Sequence, residues 1–290
     1  AELQWEPRVD VRDGLLQTIA WFRDRFEGGG VQSASSALLG MRAEQPQPRH
    51  KVAVIGTGYV GAVTSTCLAF LGHSVCGLDS DSVRAGQLND GQAPFVEPGL
   101  PEILQATLSS GRLRFTDNFA EALSDADFVF LCVGTPPGPD GSPDLAQLES
   151  AIQSLAPHLR AGGVIVNKST VPVGSGNWTR TILEDALQGT RQLSFRVVSN
   201  PEFLREGCAI EDFLYPDRIV LGGASEDVSR VAELYQPLLD QSFDGGRRSV
   251  RPSLITTELA SAEMIKYAAN AFLATKISFS NEIAQMCELF

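Results

Sequence analysis

The stretch Lys51-Val-Ala-Val-Ile-Gly56-Thr-Gly58-Tyr-Val-Gly61-Ala-Val63 constrains this chain more than any other, because it joins a short apolar run to three spaced glycines and a helical pattern. Val52, Val54 and Ile55 are the β-branched residues that a parallel strand buried on both faces needs, and apolar residues recur at helical spacing from Val60 to Leu71. At such a junction the glycines have separate mechanical tasks. Gly56 permits the tight turn, Gly58 lets the backbone approach a pyrophosphate, and Gly61 lets helix and strand pack closely. The helix N-terminus adds unpaired N–H groups and positive dipole, which suit an anion. Gly72 ends the helix, Ser74 to Leu78 predicts a second strand, and Asp79 stands at its carboxyl end. An acid there accepts hydrogen bonds from an adenosine ribose and repels a 2′-phosphate, which predicts NAD rather than NADP. The alternative, a glycine-rich structural turn, leaves strand, helix and acid coinciding without a reason.

The alternation continues. Strands are expected at 113–115, 128–133, 164–168, 195–199 and 219–222, with helices near 101, at 118–124, 145–159 and 226–239. This order predicts an α/β fold: a doubly wound parallel sheet, a Rossmann-like NAD domain over residues 51–250. In open sheets of this kind ligands bind outside the carboxyl ends of the strands. Asp79, Thr135, Thr170 and Glu202 all fall just beyond such ends, so they are expected along one edge with the glycines. Any one of them taken alone would be an ordinary turn or cap residue.

Residues 251–290 are expected to open a second, helical domain, with a long helix over 256–290. Lys266 and Asn270 share one of its faces at i and i+4, with Glu263 a turn earlier. Their apolar neighbours, Ile265, Tyr267, Phe272 and Leu273 among them, predict a packed setting rather than a solvated face. At the other end, residues 1–27 carry an apolar stripe at helical spacing, and 28–50 are rich in Gly, Ser, Gln and Pro, a flexible linker.

Two hundred and ninety residues are enough to bury a sizeable core. A formal net charge of -12 argues against nucleic acid, which demands a basic surface. No apolar run is long enough for a membrane span, so a cytoplasmic location is expected. The five cysteines show no paired spacing and no histidine cluster for a metal, which predicts that most are small buried hydrophobes in a reducing compartment.

Beyond the glycine motif, the words Gly134-Thr-Pro136, Ser169-Thr-Val-Pro-Val173, Asn200-Pro-Glu-Phe-Leu-Arg-Glu-Gly207, Pro216-Asp-Arg-Ile219 and Glu263-Met-Ile-Lys-Tyr-Ala-Ala-Asn-Ala-Phe-Leu-Ala-Thr-Lys-Ile277 resemble the UDP-glucose/GDP-mannose 6-dehydrogenase family. The resemblance covers residues 51 to 290. It implies oxidation of a sugar-nucleotide primary alcohol to a carboxylate by two hydride transfers to two NAD, through a thioester on a cysteine. It further implies that Gly56, Gly58, Val60 and Gly61 hold the pyrophosphate, Asp79 and Arg84 the ribose end, and Thr135, Thr170 and Glu206 the nicotinamide side. Glu202 and Thr170 would position water or move protons, Lys266 and Asn270 would donate to the oxygen at C6, and Phe203 and Leu204 would lie along the sugar nucleotide. A homodimer through the last helix is implied as well.

One departure matters. The family's nucleophilic cysteine sits in a later glycine-rich loop, which is absent here with the domain that grips the nucleotide half, so this chain is expected to bind NAD without completing the oxidation. Cys208 reads as a packing residue. Residues 1–26 resemble the C-terminal tail of nucleotide-sugar epimerases and decarboxylases, or else form an amphipathic helix of no special history. The first of these favours UDP-glucose over GDP-mannose as substrate. A β-hydroxyacid dehydrogenase and a noncatalytic NAD-binding or dimerisation module are the competing readings.

Overall fold

The computed structural model describes residues 16, 50–187, 194–243 and 251–289. The chain divides into two units, residues 1–43 and 44–290. Of the first only Leu16 is described, helical and exposed. The expected stripe at 1–27 and linker at 28–50 otherwise lie outside the described residues.

In the second unit β1 (Lys51–Ile55) runs into α1 (Tyr59–Phe70) and returns as β2 (Ser74–Leu78). The pattern repeats through α2 (Ser82–Asn89), α3 (Leu100–Ser109), β3 (Leu113–Thr116), α4 (Phe119–Leu123) and β4 (Phe128–Leu131). Then come α5 (Ala146–Leu155), β5 (Val164–Asn167), α6 (Ser175–Leu187) and β6 (Arg196–Ser199). Local chemistry explains the boundaries. Asp81 caps α2 by accepting from the N–H groups of Val83 and Arg84, and Asn118 caps α4 by accepting from Glu121. Gly72, at φ +99°, turns the chain after α1 as an L side chain rarely can.

With β7 (Arg218–Gly222) and β8 (Ser253–Thr257), the strands of the described residues form one eight-stranded sheet in the order β3-β2-β1-β4-β5-β6-β7-β8. Its neighbours pair in parallel from β3 through to β6, in register such as Ile55 opposite Leu78 on one side and Leu131 on the other. Strand order reverses about β1, so a crevice opens between the carboxyl ends of β1 and β4. The sheet departs from the all-parallel expectation once: β7 (Arg218–Gly222) pairs antiparallel to β6, Ser199 opposite Gly222. The stretch β8 (Ser253–Thr257), which carries no strand in the sequence reading, pairs parallel to β7.

The core lies between the sheet and its helices. Phe130, Leu131, Ile165 and Val198 are fully buried, as a strand covered on both faces requires. Leu148, Ile152, Leu155 and Leu183 cover one face, each contributing roughly 1.5–3 kcal/mol by leaving water. The helices α7 (Ala209–Leu214), α8 (Ser225–Leu234) and α9 (Gln236–Leu239) complete the layers.

The chain then enters α10 (Leu259–Leu289). It starts three residues later than expected, because Thr256 and Thr257 belong to β8. A glycine admits its first turns: a Cβ on Gly222 would lie 2.5 Å from the Ala262 Cβ. Among the described residues no helix is long and apolar enough to cross a membrane.

Candidate active site

The glycine turn is built as its spacing demands. A Cβ on Gly61 would lie 1.7 Å from the Gly56 carbonyl oxygen, so α1 can approach β1 only without one. Gly56 itself sits at φ +86°. Gly58 differs: a Cβ there would meet nothing within 4 Å. The space beside its backbone, at the start of α1, is where an anion meets the helix N-terminus, so the turn fits a dinucleotide pyrophosphate.

Asp79, 5% exposed, accepts from the backbone N–H and hydroxyl of Thr57 at 2.9 and 3.0 Å and from the Asp81 N–H at 3.0 Å. Arg84 lies over it at 3.1 Å. Burial pushes its carboxyl up, but the hydrogen bonds from Asp81, Thr57 and Arg84 outweigh burial and hold it below the usual carboxylate range. Asp79 thus braces the turn.

At the ends of β4 and β5, the Thr135 hydroxyl donates to the Thr170 carbonyl at 2.7 Å, and the Ser169 hydroxyl to that of Val133 at 2.8 Å. The two loops are thereby fastened together. Beneath them Lys168 is buried with its ammonium 3.2 Å from Asn200 Oδ1, which also accepts from the Tyr235 hydroxyl. Burial drives the Lys168 pKa down, partly offset by nearby Cys132 and Glu202. A cavity of about 50 Å³, enough for water, is lined by Lys168, Asn200, Glu202, Phe203 and Tyr235.

Two candidate chemical residues distant in sequence meet here. Lys266 on α10 pairs with Glu202 beyond β6 at 2.7 Å, their side chains 8% and 13% exposed. Breaking such a buried pair costs about 3–5 kcal/mol, because the remaining charge is stranded. Glu263, one turn earlier, sets the register of α10: its carboxylate accepts from the Gly174 and Gly176 N–H groups at 2.6 and 2.7 Å, at the start of α6. Phe203 lies between two cations, 4.4 Å from the Arg218 guanidinium and 5.5 Å from the Lys266 ammonium. The Leu204 N–H donates to Glu202.

One expectation fails. Lys266 is buried, but Asn270 is exposed, and Phe272 and Leu273 are 65% and 53% exposed. The packed setting ends one turn after Lys266, where α10 passes beyond the elements that cover its first turns. Glu206 and Cys208 are exposed as well; the Tyr59 hydroxyl pKa is pushed up first by burial and then by Glu97, with Glu206 adding to them. Val60 is half-buried in the first turn of α1.

One residue of this edge escaped the sequence reading. Glu97, 2% exposed, accepts from the Tyr59 hydroxyl and from backbone N–H groups of the 207–210 segment. The only signal was an acid in the otherwise unremarked run Val96-Glu-Pro-Gly, and its partners lie 38 and 110 residues away.

The arrangement supplies a buried cation beside a carboxylate, and a turn that fits a dinucleotide, beyond the carboxyl ends of one sheet's strands. Residues 50–239 match the NAD binding domain of the UDP-glucose/GDP-mannose dehydrogenase family, and residues 260–290 match its central domain. The chain is 45% identical over 239 residues to the UDP-glucose 6-dehydrogenase TuaD of Bacillus subtilis, a match covering 82% of this chain and 49% of that protein. A UDP-glucose dehydrogenase structure from Pyrobaculum islandicum superposes with a TM-score of 0.74 at 38% identity, over 84% of this chain and 54% of the other. A GDP-mannose dehydrogenase structure from Pseudomonas aeruginosa gives 0.72 at 35%, over 80% and 52%. The chain spans about half the length of the curated relatives it matches. With the NAD domain matched across two thirds of its residues, the chain belongs to the UDP-glucose/GDP-mannose dehydrogenase family.

Proposed function

We propose that the protein to which this chain belongs oxidises the C6 alcohol of UDP-glucose to the carboxylate of UDP-glucuronate, using one water and two NAD. The observation that carries this reading is the buried Lys266–Glu202 pair, whose Glu202 lies beyond the carboxyl end of a strand in the same sheet as the dinucleotide turn. NAD, when bound, accepts a hydride from C6 in each of the two oxidations. The chain's own groups do the rest. Gly56, Gly58, Val60 and Gly61 would hold the pyrophosphate, and Asp79 with Arg84 would hold the adenosine ribose end. Thr135, Thr170 and Glu206 border the nicotinamide side.

Lys266, with Asn270, donates to the C6 oxygen as negative charge develops there, which lowers the barrier most in a dry site. Glu202 sits within reach of that ammonium and, with Thr170, orients water or takes the proton that the alcohol loses. Phe203 and Leu204 flank the sugar. Relatives named UDP-glucose 6-dehydrogenase favour UDP-glucose, while the GDP-mannose dehydrogenase fold match keeps GDP-mannose as the second substrate to test.

The exposed apolar residues of α10, Phe272, Ile277, Phe279 and Met286, support a homodimer through that helix. Sedimentation of the full-length protein, which should run as twice the chain mass, checks this. A cytoplasmic location agrees with the free cysteines and is checked by cell fractionation.

The deciding experiment is NADH formation by the full-length protein with limiting UDP-glucose or GDP-mannose. Two NADH per UDP-glucose are expected. One NADH, or none from either sugar while NAD still binds, sinks the reading.

A further inference from the structure

We infer that Glu97 is a positioning residue: it latches the cofactor turn to the loop carrying Glu202 and Glu206, and so holds the two sides of the site at one spacing. The inference rests on the function proposed above for that loop.

The latch is visible atom by atom. Tyr59 directly follows Gly58, so its side chain reports the position of the turn. Its hydroxyl donates to Glu97 Oε2 at 2.5 Å. The Gly207 N–H donates to the same oxygen at 2.8 Å and lies 3.3 Å from the Tyr59 hydroxyl oxygen. The other oxygen, Oε1, accepts from Ala209 at 2.8 Å and from Ile210 at 3.5 Å, where the loop enters α7. One buried carboxylate therefore joins two segments that lie almost 150 residues apart.

The geometry also explains why the residue is an acid. All of its donors are neutral, so no charge pairing requires Glu, but both oxygens must accept. An amide offers one acceptor, and its NH2 would face an N–H or an O–H whichever way it was turned. Glutamine therefore fits the shape and breaks the latch. The loop has matching features. Gly207 sits at φ +82°, a turn that an L side chain rarely adopts, at the residue whose N–H meets Glu97. Arg205 is fixed separately by a two-point contact with Asp212, at 2.6 and 3.0 Å. The loop is thus held at Glu202 by Lys266, at Arg205 by Asp212, and at Gly207 by Glu97. Of these the last reaches the cofactor turn, where the Tyr59 hydroxyl also lies 3.4 Å from the Arg205 carbonyl oxygen.

Glu97→Gln and Tyr59→Phe test this in two preparations. In the full-length enzyme, Glu97→Gln should lower kcat about tenfold to a hundredfold, as small misplacements of reacting groups do, with KM for NAD within about threefold. In the chain described here, amide exchange at Gly207 and Ala209 should accelerate in Glu97→Gln, and in Tyr59→Phe only at Gly207, which loses its Tyr59 contact, while Val54 and Val129 in the core stay protected. Tyr59→Phe keeps the backbone half of the latch and should fold even if Glu97→Gln does not. A purely structural Glu97 would lower Tm yet leave kcat and Gly207 exchange at wild-type values, and that result overturns the inference. If wild-type full-length enzyme makes no NADH from either sugar, the proposed function fails instead, and the exchange measurement still decides the latch.

Discussion

Gly58 and Gly61 look interchangeable in a motif and are opposites in space. At Gly61 a methyl would overlap the Gly56 carbonyl, whereas at Gly58 it would enter open space. Gly61→Ala should therefore unfold or distort the turn, lowering Tm and NAD affinity together. Gly58→Ala should leave the Tm of the free protein within about 2 °C, since surface changes away from such clashes stay within about 0.5 kcal/mol, yet weaken NAD binding at least tenfold. Calorimetry with and without NAD separates the two; equal Tm losses would remove Gly58 from the pyrophosphate site. Asp79 carries a pH prediction. Its folded pKa lies below the ordinary value, so its stabilising bonds are complete above about pH 4 and fade as pH falls through the lower folded value. The Tm gap between wild type and Asp79→Asn should be constant from pH 8 to about 5 and narrow below about 4. A gap that widens in acid contradicts this. The glycines and Asp79 were legible because their roles depend on positions within 30 residues. Glu97 was not, because a carboxylate whose partners are distant backbone N–H groups leaves no local pattern.

At the scale of elements, α10 depends on its first two turns. Gly222 lets it approach β7, and Glu263 fastens it to the start of α6, so that Lys266, three residues on, faces Glu202. Removing the Glu263 carboxylate leaves two N–H groups without their acceptor, at about 1–3 kcal/mol each. Glu263→Ala should thus lower Tm by several degrees and, in the full-length enzyme, cut kcat further than KM for NAD, because Lys266 shifts while the turn does not. Equal changes in both parameters would show that α10 is not what Glu263 positions. The buried strands β1 and β4 were readable as continuous apolar runs, as was the helical period of α10. β8 was not: Ser253-Leu-Ile-Thr-Thr257 has a burial pattern that is mostly exposed, so no apolar face marked it as a strand. The packed setting expected for Asn270 failed for a related reason. Apolar residues mark a face that needs covering, and nothing in their spacing says which part of the chain covers it.

The molecule as a whole brings cofactor turn, ion pair and loop to one edge, which leaves the question of the cysteine that the proposed oxidation would use. A thiol reacts as its thiolate. Cys67, Cys76 and Cys132 are buried; burial pushes Cys76 up to about 11 and Cys132 to about 12, and Cys67 is raised further still. None of these three can attack an aldehyde near neutral pH. Cys208 and Cys287 are exposed. Cys287 lies near the far end of α10, remote in sequence from Lys266, and Cys208 only begins the short helix α7. The chain on its own should accordingly bind NAD and, mixed with UDP-glucose, show no steady NADH production. In the full-length enzyme Cys208→Ser should keep kcat within about twofold and leave the yield at two NADH per sugar. Iodoacetamide should label Cys208 and Cys287 in the native chain and reach the other three only after unfolding. Steady turnover by the chain alone, lost on Cys208→Ser, would reverse this argument: it would make Cys208 the nucleophile and require the 202–208 loop to carry the covalent chemistry as well as the Glu202 carboxylate.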